Sequence, residues 1–337
     1  MAYTTIDDPT LYFSTTTYTG DGNQNRAVTI DGTGMQPDWL WIKNRGAAEG
    51  HVVGDSVRGA TIRLIPNDNG AEATRATNIA SFTSDGFTVA NGGVDGAVNT
   101  DAATYVSWAW KKVAGVFDIV TYAGNNTGSR QVSHNLGVVP SLIIIKNRTN
   151  ASSWWVGSTE IPFTWNTDYL QLNETAAKGT DGGGHIFGAV PTSSYFVPGD
   201  NNDTNGNSNN YVAYLFGNKQ GVSKVGSYLG NGNADGTYIH LGFKPAFFML
   251  KGVFGEPWLM YDNKRLGYNV RNDQLIANTA GAEDGSTASW YIDILSNGVK
   301  LRGNDTAING TNSAGYIYMA FAENPFVTSG GVPATAR

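Results

Sequence analysis

The chain has 337 residues and a net charge of −6, with 43 glycines, 12% aromatic residues, 15% charged residues and no cysteine. The aromatic content excludes a disordered chain, and the scattered basic residues argue against nucleic-acid or anionic-membrane partners. Without cysteine there is no disulfide framework and no thiolate chemistry.

Residues 1–16 are predicted to form an extended N-terminal arm, because they are rich in Thr and Asp and contain a proline. The arm has no basic region followed by an apolar run, so no signal peptide is expected. No apolar stretch of the chain approaches the roughly 18 residues that span a bilayer. We therefore expect a protein that is assembled in a reducing cytoplasm and, if it acts outside the cell, is released by lysis or as part of a particle.

One unit then occurs three times, at a period of about 105 residues. Each copy opens on an aromatic–glycine turn, continues with a proline and an apolar strand ending in lysine, and closes on a strand led by tyrosine. The openings lie at Tyr18, Tyr122 and Tyr228, the apolar strands at 37–43, 140–146 and 245–251, and the closing strands start at Tyr105, Tyr211 and Tyr316. The short joints between copies predict domains packed closely in a row. The predicted boundaries are 17–114, 115–221 and 222–326, with a Gly/Pro/Ala-rich tail at 327–337.

The first copy alternates strand signals with Gly, Asn and Asp turns. Trp39 and Trp41 fall on one face of their strand and Leu40 and Ile42 on the other, so this strand is predicted to be covered on both sides. Strands are predicted near 27–30, 39–43, 51–55, 61–65, 80–83, 87–90 and 105–110, and helical turns only near 71–76, 175–178 and 280–284. The pattern favours an all-β chain of three tandem antiparallel β-sandwich domains, of jelly-roll or concanavalin-like type.

A residue present in all three copies is best explained by the fold, so a special site is expected where the copies differ. Gly54-Asp55-Ser56 resembles the serine block of a hydrolase family, but no histidine stands in the Asp-x-x-His context that such an enzyme needs. The third copy has Tyr261-Asp262-Asn263 at the matching place, without a hydroxyl nucleophile. A strand-end turn is the preferred interpretation.

Glu72, Glu174 and Glu283 occupy equivalent places after an apolar strand. Paired carboxylates can hydrolyse glycosides only when two of them face one cleft. One glutamate per copy instead favours a structural acceptor or a helix-start residue.

The loop at 200–206 is rich in Asn and Asp and follows the start of a calcium-loop spacing. Val212 stands where the bidentate glutamate would be expected, and the equivalent loops at 94–101 and 303–312 have a similar composition. A polar connection before the last strand explains all three loops. No metal and no cofactor is therefore predicted, with a weak calcium site as the open alternative.

Aromatic residues that differ between the copies are the candidates for binding, because flat rings stack on sugars and anchor interfaces. In adjacent strand residues one ring of each pair usually faces the core, and Trp155 and Trp258 are predicted to be core residues at similar places. The candidate binding residues are Trp154, Trp165, Tyr169, Tyr268, Trp290 and Tyr291.

Residues 1–13, the block 36–43 and the closing stretch 320–333 are distinctive, as is Asp55-Ser56-Val57-Arg58-Gly59, which is echoed at 262–267 but not in the second copy. Together they resemble a repeat domain of uncharacterised function from virion proteins of marine tailed phages. The resemblance implies a structural component of a phage particle, grouped with tail or fibre proteins and with concanavalin- or laminin-G-like sandwiches. It carries over no catalytic residue.

We therefore expect a non-enzymatic virion structural protein, a tail-fibre or tail-appendage subunit that contributes to host attachment. Its expected partners are other virion proteins, reached through the N-terminal arm, further copies of itself, for example in a trimer, and a glycan or protein on the host surface. One alternative is a capsid decoration or capsid-fibre protein that never touches the host. Another is a depolymerase of surface polysaccharide, which would need two carboxylates in one groove.

Overall fold

The computed structural model describes residues 4–32, 34–92, 96–160, 163–183 and 185–335. Across these ranges the helical segments are two 3-10 turns, Pro9–Leu11 and Ala288–Trp290, and the sheets are antiparallel. The predicted all-β sandwich class is confirmed. The three predicted helical turns are wrong, because those segments use backbone N–H groups to reach a neighbouring repeat. The bonds are Glu72 N to Arg148 O at 3.1 Å, Lys178 N to Val253 O at 2.7 Å and Glu283 N to Arg45 O at 2.8 Å.

In its described residues, the first repeat forms nine strands in one large and one small sheet. They are β1 (Phe13–Thr19), β2 (Arg26–Thr29), β3 (Trp39–Asn44), β4 (Val52–Asp55), β5 (Gly59–Leu64), β6 (Ala73–Thr74), β7 (Ile79–Thr83), β8 (Gly86–Val89) and β9 (Thr104–Trp110). The large sheet has the order β1-β9-β3-β4-β5-β6 and the small sheet β2-β8-β7. All seven strands predicted here are confirmed to within two residues, and β1 and β6 were missed.

The second and third repeats follow the same plan. The second contains β10 (Phe117–Ala123), β11 (Val132–Ser133), β12 (Leu142–Asn147), β13 (Trp154–Ser158), β14 (Asp168–Gln171), β15 (Gly179–Thr180), β16 (Tyr195–Phe196) and β17 (Asn210–Phe216). The third contains β18 (Ser223–Tyr228), β19 (Tyr238–His240), β20 (Phe243–Gly252), β21 (Leu259–Asp262), β22 (Leu275–Ile276), β23 (Ile292–Leu295), β24 (Gly298–Leu301) and β25 (Tyr316–Pro325). Their large sheets are β10-β17-β12-β13-β14-β15 and β18-β25-β20-β21-β22, and their small sheets β11-β16 and β19-β24-β23.

The pairing of first and last strands equates positions between the repeats. Phe13 lies opposite Trp110, Phe117 opposite Phe216 and Ser223 opposite Phe321, and the registers continue in step from there. Each equivalence used below follows from these registers.

Each large sheet is covered on both faces. On β3, Leu40 and Ile42 pack into a core that belongs to the first repeat alone and lies against its small sheet. Trp39 and Trp41 point to the other face and enter a second core. The prediction of a strand covered on two sides is confirmed, and the period-two alternation of a strand explains how one strand serves both cores.

The second core is shared by all three repeats, whose large sheets face one another around it. Aromatic contacts close every interface. Ring centroids lie 4.7 Å apart for Trp39 and Tyr214, 5.0 Å for Phe13 and Phe321, and 6.1 Å for Phe216 and Phe321. The expectation of domains in a row is therefore wrong: the first repeat contacts the third as well as the second.

The N-terminal segment folds back onto the third repeat. Strand β1 begins at Phe13, inside the predicted arm, because threonine and aromatic residues favour strands even without apolar alternation. Ahead of it, Thr4 Oγ1 donates to Gln220 O at 3.0 Å, and Ser329 N donates to the carboxylate of Asp7 at 2.6 Å. Residues 1–3 of the arm and 336–337 of the tail lie outside the described residues.

Candidate functional site

At one equivalent position in each repeat, a side-chain ring nitrogen forms a hydrogen bond with a backbone carbonyl of a neighbouring repeat. The contacts are Trp154 Nε1 to Ile65 O at 3.1 Å, Trp258 Nε1 to Gln171 O at 2.9 Å and His51 Nε2 to Ile276 O at 3.1 Å. They run from the second repeat to the first, from the third to the second and from the first to the third. The three repeats are thereby tied into a closed ring.

His51 is the one histidine in this ring, and its neighbours fix its tautomer. Trp41 Nε1 donates to His51 Nδ1 at 2.8 Å, so the hydrogen of the neutral imidazole is on Nε2 and is donated to Ile276 O. Burial, reinforced by the charge of Lys43, lowers the pKa of His51 to about 3. This histidine therefore stays neutral and serves as a structural donor.

Two of the three glutamates that were predicted to be equivalent, Glu72 and Glu283, hold the repeats together by salt bridges. Glu72 accepts from the Arg148 guanidinium at 2.8 and 2.9 Å, and Glu283 accepts from Arg45 at 2.9 and 3.0 Å. The structural-acceptor interpretation is confirmed for this pair. The predicted equivalence of Glu174 is wrong by four residues, because the strand registers place Lys178 where the first and third repeats have Glu72 and Glu283. The backbone carbonyl of Glu174 lies 3.4 Å from Lys251 Nζ of the third repeat. Glu72 and Glu283 lie at different interfaces.

The hydrolase-like block forms a buried structural ion pair. Asp55 and Arg58 are joined at 2.6 Å with both side chains fully buried, and Asp262 and Arg265 repeat the pair in the third copy at the same distance. Ser56 Oγ donates to an Asp38 carboxylate oxygen at 2.6 Å. The strand-end turn is confirmed, and Asp55 serves to neutralise a buried arginine.

The lysine that ends the apolar strand of each copy is buried and bonds to backbone carbonyls. The contacts include Lys43 Nζ to Asn44 O at 2.7 Å, Lys146 Nζ to Asn147 O at 2.9 Å and Lys251 Nζ to Glu256 O. Burial lowers the pKa of each of these lysines to about 8. They make stability dependent on pH, and they explain why the strand pattern repeats a lysine.

The candidate binding residues of the second repeat are largely enclosed. Trp154 is fully buried in the shared core, and Trp165 is buried with Nε1 donating to Ala189 O at 2.9 Å. Neither has a ring face free for a ligand. Tyr169 is half-buried and packs edge-to-face on Trp155 with centroids 4.9 Å apart.

The candidates in the third repeat are more accessible. Tyr268 is 67% exposed on the loop between β21 and β22. Trp290 and Tyr291 are half-buried at the second 3-10 turn, with Trp290 packed against the core of its own repeat. A binding role for these three stays a prediction.

The predicted equivalence of Trp155 and Trp258 is wrong by one residue. Trp154 and Trp258 are the equivalent pair: each backbone N–H donates at 2.9 Å to an asparagine side chain, Asn173 or Asn278, and each ring reaches the next repeat. Trp155 points to the opposite face, into the core of the second repeat. A shift of one residue in a strand alignment exchanges the two faces.

The side-chain oxygens of the loop at 200–206 form hydrogen bonds and an ion pair with other groups of the second repeat. Asn201 Oδ1 accepts from Asp203 N at 3.0 Å, Asp203 Oδ1 accepts from Ser152 Oγ at 2.7 Å, and Asp200 pairs with His185 at 2.6 Å. In the part of the chain that the structure describes, no group of three or more His, Asp or Glu side chains could hold a metal ion. Residues 94 and 95 of the equivalent first-repeat loop lie outside that part.

A cleft of about 190 Å³ opens at the interface between the first and third repeats, and we call it the seam cleft. The start of β1 and the turn after β2 form one wall, and the segment after β21 with the end of β25 forms the other. Lys264 Nζ lies 3.1 Å from Asp31 Oδ2 across the opening, and Lys244 lies 3.4 Å from Glu323 on the far wall. The residues that line it and carry its chemistry are Thr15, Asp31, Asn263, Lys264, Glu323 and Asn324.

Sequence reasoning missed the seam cleft, although one signal was present. Asn263 and Lys264 replace Ser56 and Val57 within the otherwise matching Asp-x-x-Arg elements of the third and first copies. A difference of this kind inside a shared motif marks a position that the fold does not dictate.

The helical segments in the described ranges are too short to cross a bilayer. No curated protein and no solved structure matches the chain. A family model does match, over residues 8–325 and thus over most of the chain. The chain belongs to that family, which is described as a domain of unknown function (DUF7483).

Proposed function

We propose that the chain is a non-enzymatic structural protein of a phage particle, part of a tail fibre or tail appendage that contributes to host attachment. The observation that carries the proposal is that the residues shared by the repeats make structural contacts. Three kinds of side chain at the repeated positions bond to backbone or to a neighbouring repeat. They are the ring nitrogens, the buried lysines, and the glutamates Glu72 and Glu283. The shared chemistry of the repeats serves to build a rigid closed body.

The glutamates also bear on the depolymerase alternative. Glu72 is bound to Arg148 at the interface of the first and second repeats, and Glu283 to Arg45 at the interface of the first and third. Two carboxylates in one groove, as glycoside hydrolysis requires, are not formed by this pair. A mechanical and adhesive role fits these residues better.

The surface and the two ends of the chain support a particle component. The stretches 1–13 and 320–333 carry the strongest resemblance to virion repeat domains. Two surface features that could meet a host lie together: Tyr268 is exposed on the third repeat, and the seam cleft lies beside the same loop. Many copies on one particle would convert weak contacts into avidity.

One observation favours the alternative of capsid decoration without host contact. The arm was expected to dock on a neighbouring virion protein, but Thr4 bonds to Gln220 and Asp7 to Ser329 within its own chain. An arm held in this way is less available for a tail partner. Oligomers, including a trimer, would then form through the outer faces of the sandwiches.

Immunogold electron microscopy of intact particles, with antibody raised against the purified chain, tests the proposal. Gold on tail fibres or the tail tip, together with inhibition of phage adsorption by the purified protein, is the expected result. Gold spread over the capsid, without inhibition, would replace the attachment role by decoration. Unlabelled intact particles would overturn both.

A further inference from the structure

We propose that the seam cleft binds a single sugar residue, and this inference rests on the proposed attachment function. The cleft combines three properties: buried polar groups that lack a protein partner, walls whose charges pair off, and the size of one sugar ring. Clefts of about 210 and 240 Å³ lie at the equivalent places of the other two repeats, so the lining residues, and not the size, set the seam cleft apart.

Two buried polar atoms at the seam cleft have no hydrogen-bond partner in the described protein. Thr15 Oγ1 and Asn263 Oδ1 belong to side chains that are 1% and 3% exposed, and both residues line the cleft. A buried polar atom without a partner costs about 1–3 kcal/mol, so native proteins nearly always satisfy it. Less than 1 Å² of each atom is exposed, so a hydroxyl-bearing ligand in the cleft would supply the missing bonds after a small shift of the side chains that cover them.

The comparison between repeats shows that the fold does not need the Thr15 hydroxyl. The equivalent residues are Ile119 and Val225, and both are apolar members of the shared core. An apolar residue therefore suits this position, and Thr15 keeps a polar atom there at a cost in stability. Asp31 is likewise specific to the first repeat, because the registers of the small sheets place Asn135 and Gly242 at its position in the other copies.

The charges of the seam cleft favour a neutral ligand. Asp31 is paired with Lys264 and Lys244 with Glu323, so the walls present donors and acceptors side by side without a net charge. Asn324 adds an amide with both functions. A ligand with many adjacent hydroxyls, each able to donate and accept, matches such a surface better than an anion or a cation does.

The size of the seam cleft points to one ring. A volume of about 190 Å³ is below the ~300 Å³ at which pockets for drug-sized ligands begin, so there is room for a single sugar and not for a chain of sugars. Phe13 and Ala246 lie beneath the cleft and are 0% and 4% exposed, so the ring would make mainly polar contacts. A terminal sugar of a surface glycan fits this description, and so does a free monosaccharide.

The test is ligand-observed saturation-transfer NMR on the full chain. One arm uses free glucose, galactose, mannose, rhamnose and N-acetylglucosamine, and the other uses purified lipopolysaccharide from the host. The variants are Thr15→Val and Asn263→Leu, and Thr159→Val, at the place of Asn263 in the second repeat, is the matched control. We expect binding in at least one arm, weakened tenfold or more by the two cleft variants and unchanged by the control.

The melting temperature gives a second readout. We expect Thr15→Val to melt at the same temperature as the parent or higher, so that its loss of binding cannot come from unfolding. Binding of a monosaccharide would identify a free sugar as sufficient, and binding of lipopolysaccharide alone would identify the glycan as the source. No binding in either arm overturns the proposal, as does binding that both cleft variants leave intact.

The two proposals fail separately. Immunogold labelling of particles does not depend on any sugar, so an empty cleft leaves the virion role standing. Unlabelled particles together with a sugar-binding cleft would overturn the virion role alone.

Discussion

Tyr214 of the second repeat donates its hydroxyl hydrogen to Asp55 of the first repeat at 2.8 Å, inside the interface between them. Trp108 makes the corresponding bond across the next interface, where Nε1 lies 3.1 Å from an Asp262 carboxylate oxygen. Each carboxylate also neutralises a buried arginine of its own repeat. In the first and the third repeat, a single aspartate therefore both stabilises the turn of its own repeat and bonds to the neighbouring repeat.

At the third interface both partners have changed. Met319 occupies the donor position, and Ser158 occupies the carboxylate position and donates to Ser141 O at 2.8 Å within its own repeat. This interface therefore lacks both the hydrogen-bond donor and the carboxylate, and no unpaired charge is left in the core. This explains why the second copy lacks the Asp-x-x-Arg element: its neighbour offers nothing for a carboxylate to bind.

We expect Asp55→Asn to lower the free energy of unfolding by about 3 kcal/mol, because it leaves the buried Arg58 with the more distant Glu72 as its remaining acidic partner. Tyr214→Phe should cost about 1.5–3 kcal/mol, as expected for a bond to a charged group. Urea unfolding of both variants and of the double variant measures the coupling. Tyr122→Phe is the control, since it removes a neutral bond within one repeat and should cost about 1 kcal/mol. Additive losses for the two interface variants would contradict a direct bond.

Ser158→Asp restores a carboxylate where neither an arginine nor a donor was kept. We expect a loss of at least about 3 kcal/mol near neutral pH, because an unpaired charge would be buried at a fully enclosed position. Burial would raise the pKa of the new carboxyl, so the folded form would bind the proton more tightly and the loss should shrink as pH falls. Urea unfolding at pH 4.5 and pH 7.5 checks this, with Ser133→Asp on an exposed strand position as control. An equal loss at both pH values would show that volume, not charge, is responsible.

The three buried lysines predict a rise in stability on the alkaline side of neutrality. Their pKa is about 8 in the folded chain against an ordinary value of 10.5, so the unfolded chain binds more protons between these pH values. Stability should therefore increase from about pH 8 towards pH 10. Above pH 10 it should fall, because burial raises the pKa of tyrosines such as Tyr18 and Tyr122 and the folded chain then holds more protons. Urea midpoints measured from pH 7.5 to 11 test this, and Lys146→Met should reduce the rise by about a third. A steady fall from pH 8 would refute the assignment.

The strands of the first repeat could be predicted because each carries its own local signal of alternation between turns. The two apolar faces of Trp39–Asn44 even indicated a second covering layer. They could not show that the layer comes from the other repeats, because a Trp on a strand looks the same whether its partner is near in sequence or 175 residues away, as Tyr214 is from Trp39. Likewise, Trp154 and Trp155 lie on opposite faces of the same strand, and no local sequence pattern shows which of the two rings contacts a neighbouring repeat.

The shared core predicts that a chain ending after the second repeat will not fold normally. Residues 1–221 would leave Phe13, Trp110 and Phe216 without their contacts to Phe321. We expect this fragment to self-associate, to bind a hydrophobic dye and to unfold without cooperativity, because a large apolar surface is left uncovered. Light scattering and dye fluorescence are the measurements. A circular permutant that starts at residue 222 and joins the old ends by a flexible linker is the matched control, since the arm and tail already meet through Asp7 and Ser329. The permutant should be monodisperse and cooperative, and a fragment that behaves equally well would show that the repeats fold independently.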